Sequence, residues 1–296
     1  MNYPNHMEKW ISFIILSITF CGCVHKNIKS SGGDIEEIPI ISQSADGTSI
    51  TSWLYPQFAA NNKGLMVYLH GGPHISVRNE MPAVISFFRK IGFSVLGIDY
   101  RGSRGYGVNF QNTIQGNLGD REIEDVYSSL KSFLALNPIY SDKPIFLSGH
   151  SYGGFLALLI SIDSKNPFQK IVAMAAPSDL RKVYASLEKC SLPACIGARR
   201  EMREDIYGSE SDATYLSRRN PLAMTSKIGV PVYVVQGELD PFVPMSLTKK
   251  FIAASKKNKR SVELLILSGV GHDLGAMNSP EDFMKNLAPV STFLEN

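Results

Sequence analysis

The stretch Ile145-Phe-Leu-Ser-Gly-His-Ser-Tyr-Gly-Gly154 limits the folds open to this 296-residue chain more than any other. An apolar run ends in Gly149-His150-Ser151-Tyr152-Gly153, and a second apolar segment, Phe155 to Ile160, follows at once. That order predicts a strand, a sharp turn and a helix. A turn this tight strains its central residue and leaves no space for bulky side chains two positions away. Gly149 and Gly153 meet that demand, and Gly154 lets the helix start close to the strand. Ser151 is then held up at the end of a sheet, the arrangement of a nucleophile elbow. The short pattern G-x-S-x-G arises often by chance, so its flanks carry the reading. The rest of the chain has to supply a base, an acid and an oxyanion hole.

The remaining pattern alternates strands with helices. Ile38 to Ser44 and Thr48 to Tyr55 read as strands joined by a hairpin at Asp46-Gly47. Leu65 to Leu69 and Phe93 to Ile98 are short buried-type strands, separated by helical spacing from Met81 to Ile91 with a Gly92 stop. Glu122 to Leu136 is amphipathic, with Val126, Leu130, Phe133 and Leu134 on one face. Beyond the elbow, Lys170 to Ala175, Pro231 to Val235 and Val262 to Leu267 read as strands. Helices are expected at Leu247 to Lys256 and as one closing helix from Pro280 to Phe293. From Leu180 to about Ser226 the pattern turns irregular, polar and helix-like, as an inserted lid would. Such alternation implies an α/β architecture: a mostly parallel, twisted sheet with helices on both faces and chemistry at the strands' carboxyl ends.

Serine is a weak nucleophile at neutral pH and needs a base, itself oriented by a carboxylate. In an α/β-hydrolase fold the order is serine, acid, histidine, each after a later strand. His272 is the only histidine after Ser151, and it follows a strand in Gly269-Val-Gly-His272, so it is the expected base. Asp240, just past the preceding strand, is the expected acid; Glu238, Asp273 and Asp179 are the competing carboxylates. The oxyanion hole is expected from the backbone N–H of Tyr152, next to the nucleophile, and from Gly72 in His70-Gly-Gly-Pro73 after an early strand. His70 is expected to organise its loop and His74 to border the pocket, with His150 the variable residue of the elbow. His6 and His25 lie in or beside the N-terminal segment. No histidine suggests a metal site, and no cofactor is expected.

Several motifs together resemble the catalytic domain of the prolyl oligopeptidase family. They are His70-Gly-Gly-Pro73, Asp99-Tyr-Arg-Gly-Ser-Arg-Gly-Tyr-Gly107, Gly119-Asp120 with Glu124-Asp125-Val126, and Gly149-His-Ser-Tyr-Gly-Gly154. Asn220-Pro221, Gly237-Glu-Leu-Asp240 with Val243-Pro244, and Gly271-His272 continue the likeness, which covers Ile35 to the end. The resemblance implies a serine hydrolase of the acylaminoacyl-peptidase and dipeptidyl-peptidase type, with Ser151, Asp240 and His272 as triad and Gly72 and Tyr152 as oxyanion hole. Two features depart from it. Family peptidases usually carry a β-propeller ahead of this domain, for which the chain leaves no room, and Pro241-Phe242 stands where several relatives place an arginine after the acid. Exopeptidase specificity therefore does not carry over. Three functional readings stand: a peptidase acting on short peptides, a carboxylesterase of the same fold, and a non-catalytic binding protein.

The N-terminus reads separately. Lys9 precedes an apolar run from Trp10 to Phe20 that is too short to span a bilayer and fits the core of a secretory signal. Gly22-Cys23 resembles a lipoprotein processing site, with Cys23 as the lipidated residue. Residues 1–23 are thus expected to be a signal peptide, 24–34 a linker around Ser30 to Gly33, and 35–296 the hydrolase domain with its lid at about 180–226. This places the protein in a bacterial envelope, periplasmic or lipid-anchored, with the membrane touched only through that anchor. Cys190 and Cys195 can close a small loop in such an oxidising compartment. A net charge of +3, with no basic cluster interleaved with aromatics, argues against nucleic acid as a partner. A small peptide or ester is the expected substrate.

Overall fold

The computed structural model describes residues 28–30, 33–35, 37–57, 62–80, 82–207, 214–275 and 280–296. The chain divides into two compact units, Met1–Glu37 and Ile38–Asn296. In the first, strand β1 (Ile28–Ser30) pairs antiparallel with β2 (Gly33–Ile35), Ile28 opposite Ile35. These two strands lie in the stretch read as a linker and run one residue past it. The expected signal peptide and Cys23 lie outside the described residues.

The second unit is built on one eight-stranded sheet of order β10-β9-β8-β7-β5-β6-β4-β3. Its strands are β3 (Ile38–Gln43), β4 (Ser49–Tyr55), β5 (Gly64–Leu69), β6 (Phe93–Asp99), β7 (Ile145–His150), β8 (Ile171–Met174), β9 (Val232–Gly237) and β10 (Val262–Leu267). β3 and β4 form the antiparallel hairpin expected at Asp46-Gly47, where Gly47 takes φ +82°. β4 is also antiparallel to β6, and every other pairing is parallel. Strands β5, β6, β8 and β9 are buried along their whole length, which explains their unbroken apolar runs. At the edge, β3 alternates instead and leaves Ile41 exposed.

Helices α1 (Pro82–Lys90), α2 (Val108–Asn112), α3 (Arg121–Leu136) and α4 (Tyr152–Ser161) connect the first strands. α3 buries Val126, Leu130 and Phe133, and its Ser129 hydroxyl bonds that of Ser42 on β3 at 3.0 Å. α4 is buried on every side, as a helix without a polar face must be. Between β8 and β9 come α5 (Leu180–Leu187) and α6 (Pro193–Tyr207), joined by a Cys190–Cys195 disulfide with Cα atoms 5.9 Å apart. α7 (Met245–Lys257) follows β9. The single closing helix expected from Pro280 to Phe293 is two helices, α8 (Pro280–Asn286) and α9 (Ala288–Glu295). Pro289 lies at the start of α9, where its missing N–H costs nothing, and could not lie inside a continuous helix at so little cost.

One buried ion pair joins two of the sequence motifs. Arg101, in the loop after β6, donates from Nε and Nη2 to the two oxygens of Asp125 on α3 at 2.9 and 2.7 Å. Its backbone N–H adds a third bond to the same carboxylate, and Nη1 reaches Asp46 at 2.9 Å. Hydrogen bonds from Arg101 and Thr48 hold the Asp46 carboxyl well below the usual carboxylate range. Removing one partner of such a pair strands the other charge away from water. Asp125→Ala is therefore expected to cost about 3–5 kcal/mol of unfolding free energy in urea titration; a loss under about 1 kcal/mol would show that Arg101 finds water instead.

Candidate active site

The elbow has the geometry its glycines suggest. Ser151 sits between β7 and α4 with φ +53° and ψ −115°, a conformation rare for a residue with a side chain. A Cβ at residue 149 would strike the Gly153 carbonyl, and one at 153 would strike the carbonyls of Leu69 and His70. Helix α4 can therefore start directly over β7 and against β5. Ser151 N–H donates to Met174 O of β8 at 2.9 Å, which pins the turn to the sheet. As first residue of α4, Tyr152 has an N–H with no acceptor inside the helix, at the end where the helix dipole is positive. Its phenol is anchored below, donating to Glu122 Oε1 at 2.5 Å while Gly119 N–H donates to the phenol oxygen at 3.1 Å. Burial pushes the Glu122 carboxyl up, although Tyr152 and the amides of Gly119 and Asp120 oppose the shift.

The structure brings Ser151, His272 and Asp240 together from the ends of three strands. Ser151 Oγ lies 2.9 Å from His272 Nε2, and His272 Nδ1 donates to Asp240 Oδ2 at 2.7 Å. The same carboxylate accepts from Gln236 Nε2 at 2.9 Å and from the amides of Phe242 and Val243 at 2.8 and 2.9 Å. Burial alone would raise the Asp240 carboxyl; the His272 bond and charge and the two amides outweigh it and hold Asp240 below its usual value. Phe242 meets the His272 ring edge-on, with centroids 4.9 Å apart. The competing carboxylates make other contacts. Glu238 binds Ser268 and the Gly269 amide at the surface, Asp179 caps α5 through the Lys182 N–H, and Asp273 accepts from Gly275 N–H.

Gly71 and Gly72 lie beside Ser151: a Cβ at 71 would stand 3.1 Å from the Ser151 Cβ, and both glycines border one cavity with Ser151 and Tyr152. The Gly71 N–H is already committed to Glu80 Oε1 at 2.7 Å. Gly72 takes φ +109°, and its peptide bond to Pro73 is cis. His70, stacked on Tyr100, bonds Ser103 Oγ at 2.7 Å and so organises its loop as expected. The cavity holds about 610 Å³ and is walled by apolar side chains of α5 and α6, among them Leu180, Val183 and Met202, with Phe242 opposite. Among the described residues no group of three or more His, Cys, Asp or Glu is placed to hold a metal ion.

Two histidines differ from expectation. His150 is not an idle elbow residue; it is buried, with Nδ1 2.9 Å from Glu80 Oε1 and Nε2 2.8 Å from the His272 carbonyl. His74 does not line the cavity but lies behind it. Its Nδ1 bonds Gly102 O at 2.8 Å, and its Nε2 bonds Asp205 Oδ1 of α6 at 2.7 Å. Glu80, Glu122, Gln236 and Asp205 all escaped the sequence reading. Glu80 and Asp205 carry no local signal, because their histidine partners lie 70 and 131 residues away, whereas Gln236 lies only four residues before the Asp240 carboxylate it serves.

Residues 79–296 match the family model described as prolyl oligopeptidase family. The chain is 24% identical over 263 residues to the uncharacterized peptidase YuxL of Bacillus subtilis, covering 88% of this chain and 38% of the relative. It is 26% identical over 234 residues to dipeptidyl peptidase family member 6 of Caenorhabditis elegans, covering 78% of this chain and 30% of that protein. The chain thus spans well under half the length of both. The acylaminoacyl peptidase of Pyrococcus horikoshii superposes with a TM-score of 0.75 at 19% identity, covering 90% of this chain and 42% of that one. The superposition shows a shared α/β-hydrolase fold.

The His74–Asp205 contact fastens α6 to the loop after β5. Burial lowers the His74 value, but the Asp205 bond and charge and the Gly102 carbonyl outweigh it, so the net shift is upward. A histidine raised on folding contributes stability in full below its unfolded value of about 6.5 and loses it as pH rises through the folded value. Asp205→Asn is expected to lower the urea midpoint most at pH 6, with the gap from wild type closing as pH rises into the alkaline range. A gap independent of pH between 6 and 9 would rule out an ionised His74.

Proposed function

Because the chain belongs to the prolyl oligopeptidase family, we propose that it is a serine hydrolase that cleaves amide bonds of short peptides through an acyl-enzyme intermediate. The observation that carries this reading is the continuous chain Ser151 Oγ, His272, Asp240 at 2.9 and 2.7 Å. Ser151 attacks the substrate carbonyl as its proton passes to His272 Nε2. The imidazolium that forms is held by Asp240, which stays ionised. Charge developing on the carbonyl oxygen is met by the N–H groups of Tyr152 and Gly72. His272 then gives its proton to the leaving nitrogen, and the acyl-enzyme is released by water that His272 deprotonates in turn. The committed Gly71 amide supports Gly72 as the second donor. The relatives' names as peptidases support an amide substrate, and the helices at 180–226 act as the lid that shapes its entry.

A carboxylesterase is the second reading, favoured by the apolar wall of the cavity, which suits an aliphatic acyl group as well as a peptide side chain. Export directed by the N-terminal signal, with Cys23 as the anchored residue after its removal, is part of the proposal. The Trp10–Phe20 run supports it, as does the Cys190–Cys195 disulfide, which suits an oxidising compartment.

A fluorophosphonate is expected to label native protein and not Ser151→Ala; equal labelling of both removes the hydrolase reading. Asp240→Asn should lower kcat by about 10⁴-fold through loss of the correct His272 tautomer. Matched p-nitrophenyl esters and peptidyl anilides separate the two substrate classes, and turnover of esters alone defeats the peptidase reading. For export, the expected N-terminus by mass spectrometry is a lipidated Cys23, and an intact Met1 on cytosolic protein refutes it.

A further inference from the structure

His150 stands between two acceptors. The His272 carbonyl on one side has no proton to give, so Nε2 carries a hydrogen. On the other side Glu80 already accepts the Gly71 N–H on Oε1 and the Tyr68 O–H on Oε2, each at 2.7 Å. A carboxylate filled by donors in this way also takes a proton from Nδ1, 2.9 Å away. Both ring nitrogens then donate, which only the imidazolium can do. Its side chain and that of Glu80 are 8% and 6% exposed, so the pair is shielded from water.

The position of this pair is what gives it a role. His272 spends both ring nitrogens on Asp240 and Ser151, so its side chain is aimed by its backbone, and His150 holds that backbone by the carbonyl. Glu80, through Gly71, holds the loop that carries Gly72. We propose that His150, kept doubly protonated by Glu80, is a positioning residue that fixes the His272 backbone and the Gly71-Gly72 loop in register with Ser151. The inference rests on the hydrolase reading above. Other ionisable groups facing the pair are Tyr68 on β5, His70 and Tyr100 near Glu80, and Asp240 and His272 beyond the ring of His150. For His150, burial lowers the value, but the Glu80 bond and charge and the His272 carbonyl outweigh it; for Glu80, burial raises it, and His150 outweighs that. Both net shifts favour the ionised pair.

The test is Glu80→Gln. It keeps an acceptor for the Gly71 N–H and can donate its amide to the Tyr68 oxygen, but it removes the charge that holds the second proton on His150. The readouts are the urea midpoint, kcat and KM, and the rate of Ser151 phosphonylation by a fluorophosphonate between pH 5.5 and about 9.5, a window bracketing the imidazole range. In the variant His150 loses a proton at lower pH than in wild type, and one of its two acceptors is abandoned. The expected result is a loss of about 10- to 100-fold at pH 8, in kcat rather than KM, as for a small misplacement of a reacting group. The ratio of wild-type to variant rates should shrink toward one as pH falls through 6. His150→Gln, with one amide able to serve one acceptor, should lose a similar amount without that pH dependence. A constant wild-type to Glu80→Gln ratio across the range, or wild-type kcat in His150→Gln, overturns the positioning role; if Glu80→Gln does not fold, the kcat of His150→Gln decides. Wild-type protein that takes no fluorophosphonate fails the hydrolase reading instead, so the two failures are told apart.

Discussion

Helix α4 begins one residue after strand β7 ends, and the turn between them has space only for hydrogen at residues 149 and 153. That contact sets the distance between the helix and strands β5, β7 and β8, and it forces Ser151 into a left-handed conformation. The strain is held because α4 is buried on all sides and cannot relax outward. From it follow the outward Ser151 hydroxyl, the free helix-terminal N–H of Tyr152, and the approach of Gly71 to Ser151 from the neighbouring strand. The parallel sheet then supplies the other groups, since loops after β9 and β10 emerge at the same edge.

Around that turn the loops are fastened by buried charge. Arg101 with Asp125, His74 with Asp205, and His150 with Glu80 each join segments far apart in the chain. Burying two charges costs desolvation that a pair of apolar side chains would not, so such pairs are a poor source of stability. Their effect here is directional. A loop held by several charge-assisted bonds has one arrangement rather than several. Asp240 follows the same pattern, with four donors converging on one carboxylate.

The cavity above Ser151 is made differently. Its wall on the side of α5 and α6 is mostly apolar, with Glu201 and Asp205 at it, and comes from the insertion between β8 and β9, stapled at Cys190–Cys195 and tied to the loop after β5 through Asp205. Ser151, His272 and Asp240 are thus placed at the sheet's edge, and the wall above them is a separate piece of structure attached to it.

The local pattern of the chain was enough to place the strands, the elbow and the order of serine, acid and histidine, because each of these depends on neighbours in sequence. Alternating apolar runs specify strands and helices, glycines at 149 and 153 specify a tight turn, and a lone histidine after the last strand leaves little choice of base. Even the misread closing helix failed for a local reason, the proline at 289. The tertiary structure set Asp240 against His272, gave His150 a partner, and brought Glu80, Glu122, Gln236 and Asp205 to the site. Glu80 is 70 residues from His150, and His150 is 122 from the His272 carbonyl it holds. A buried polar group must find a partner, but its sequence neighbourhood does not say which one; only the packing of the sheet, by fixing which loops meet at its edge, makes that choice.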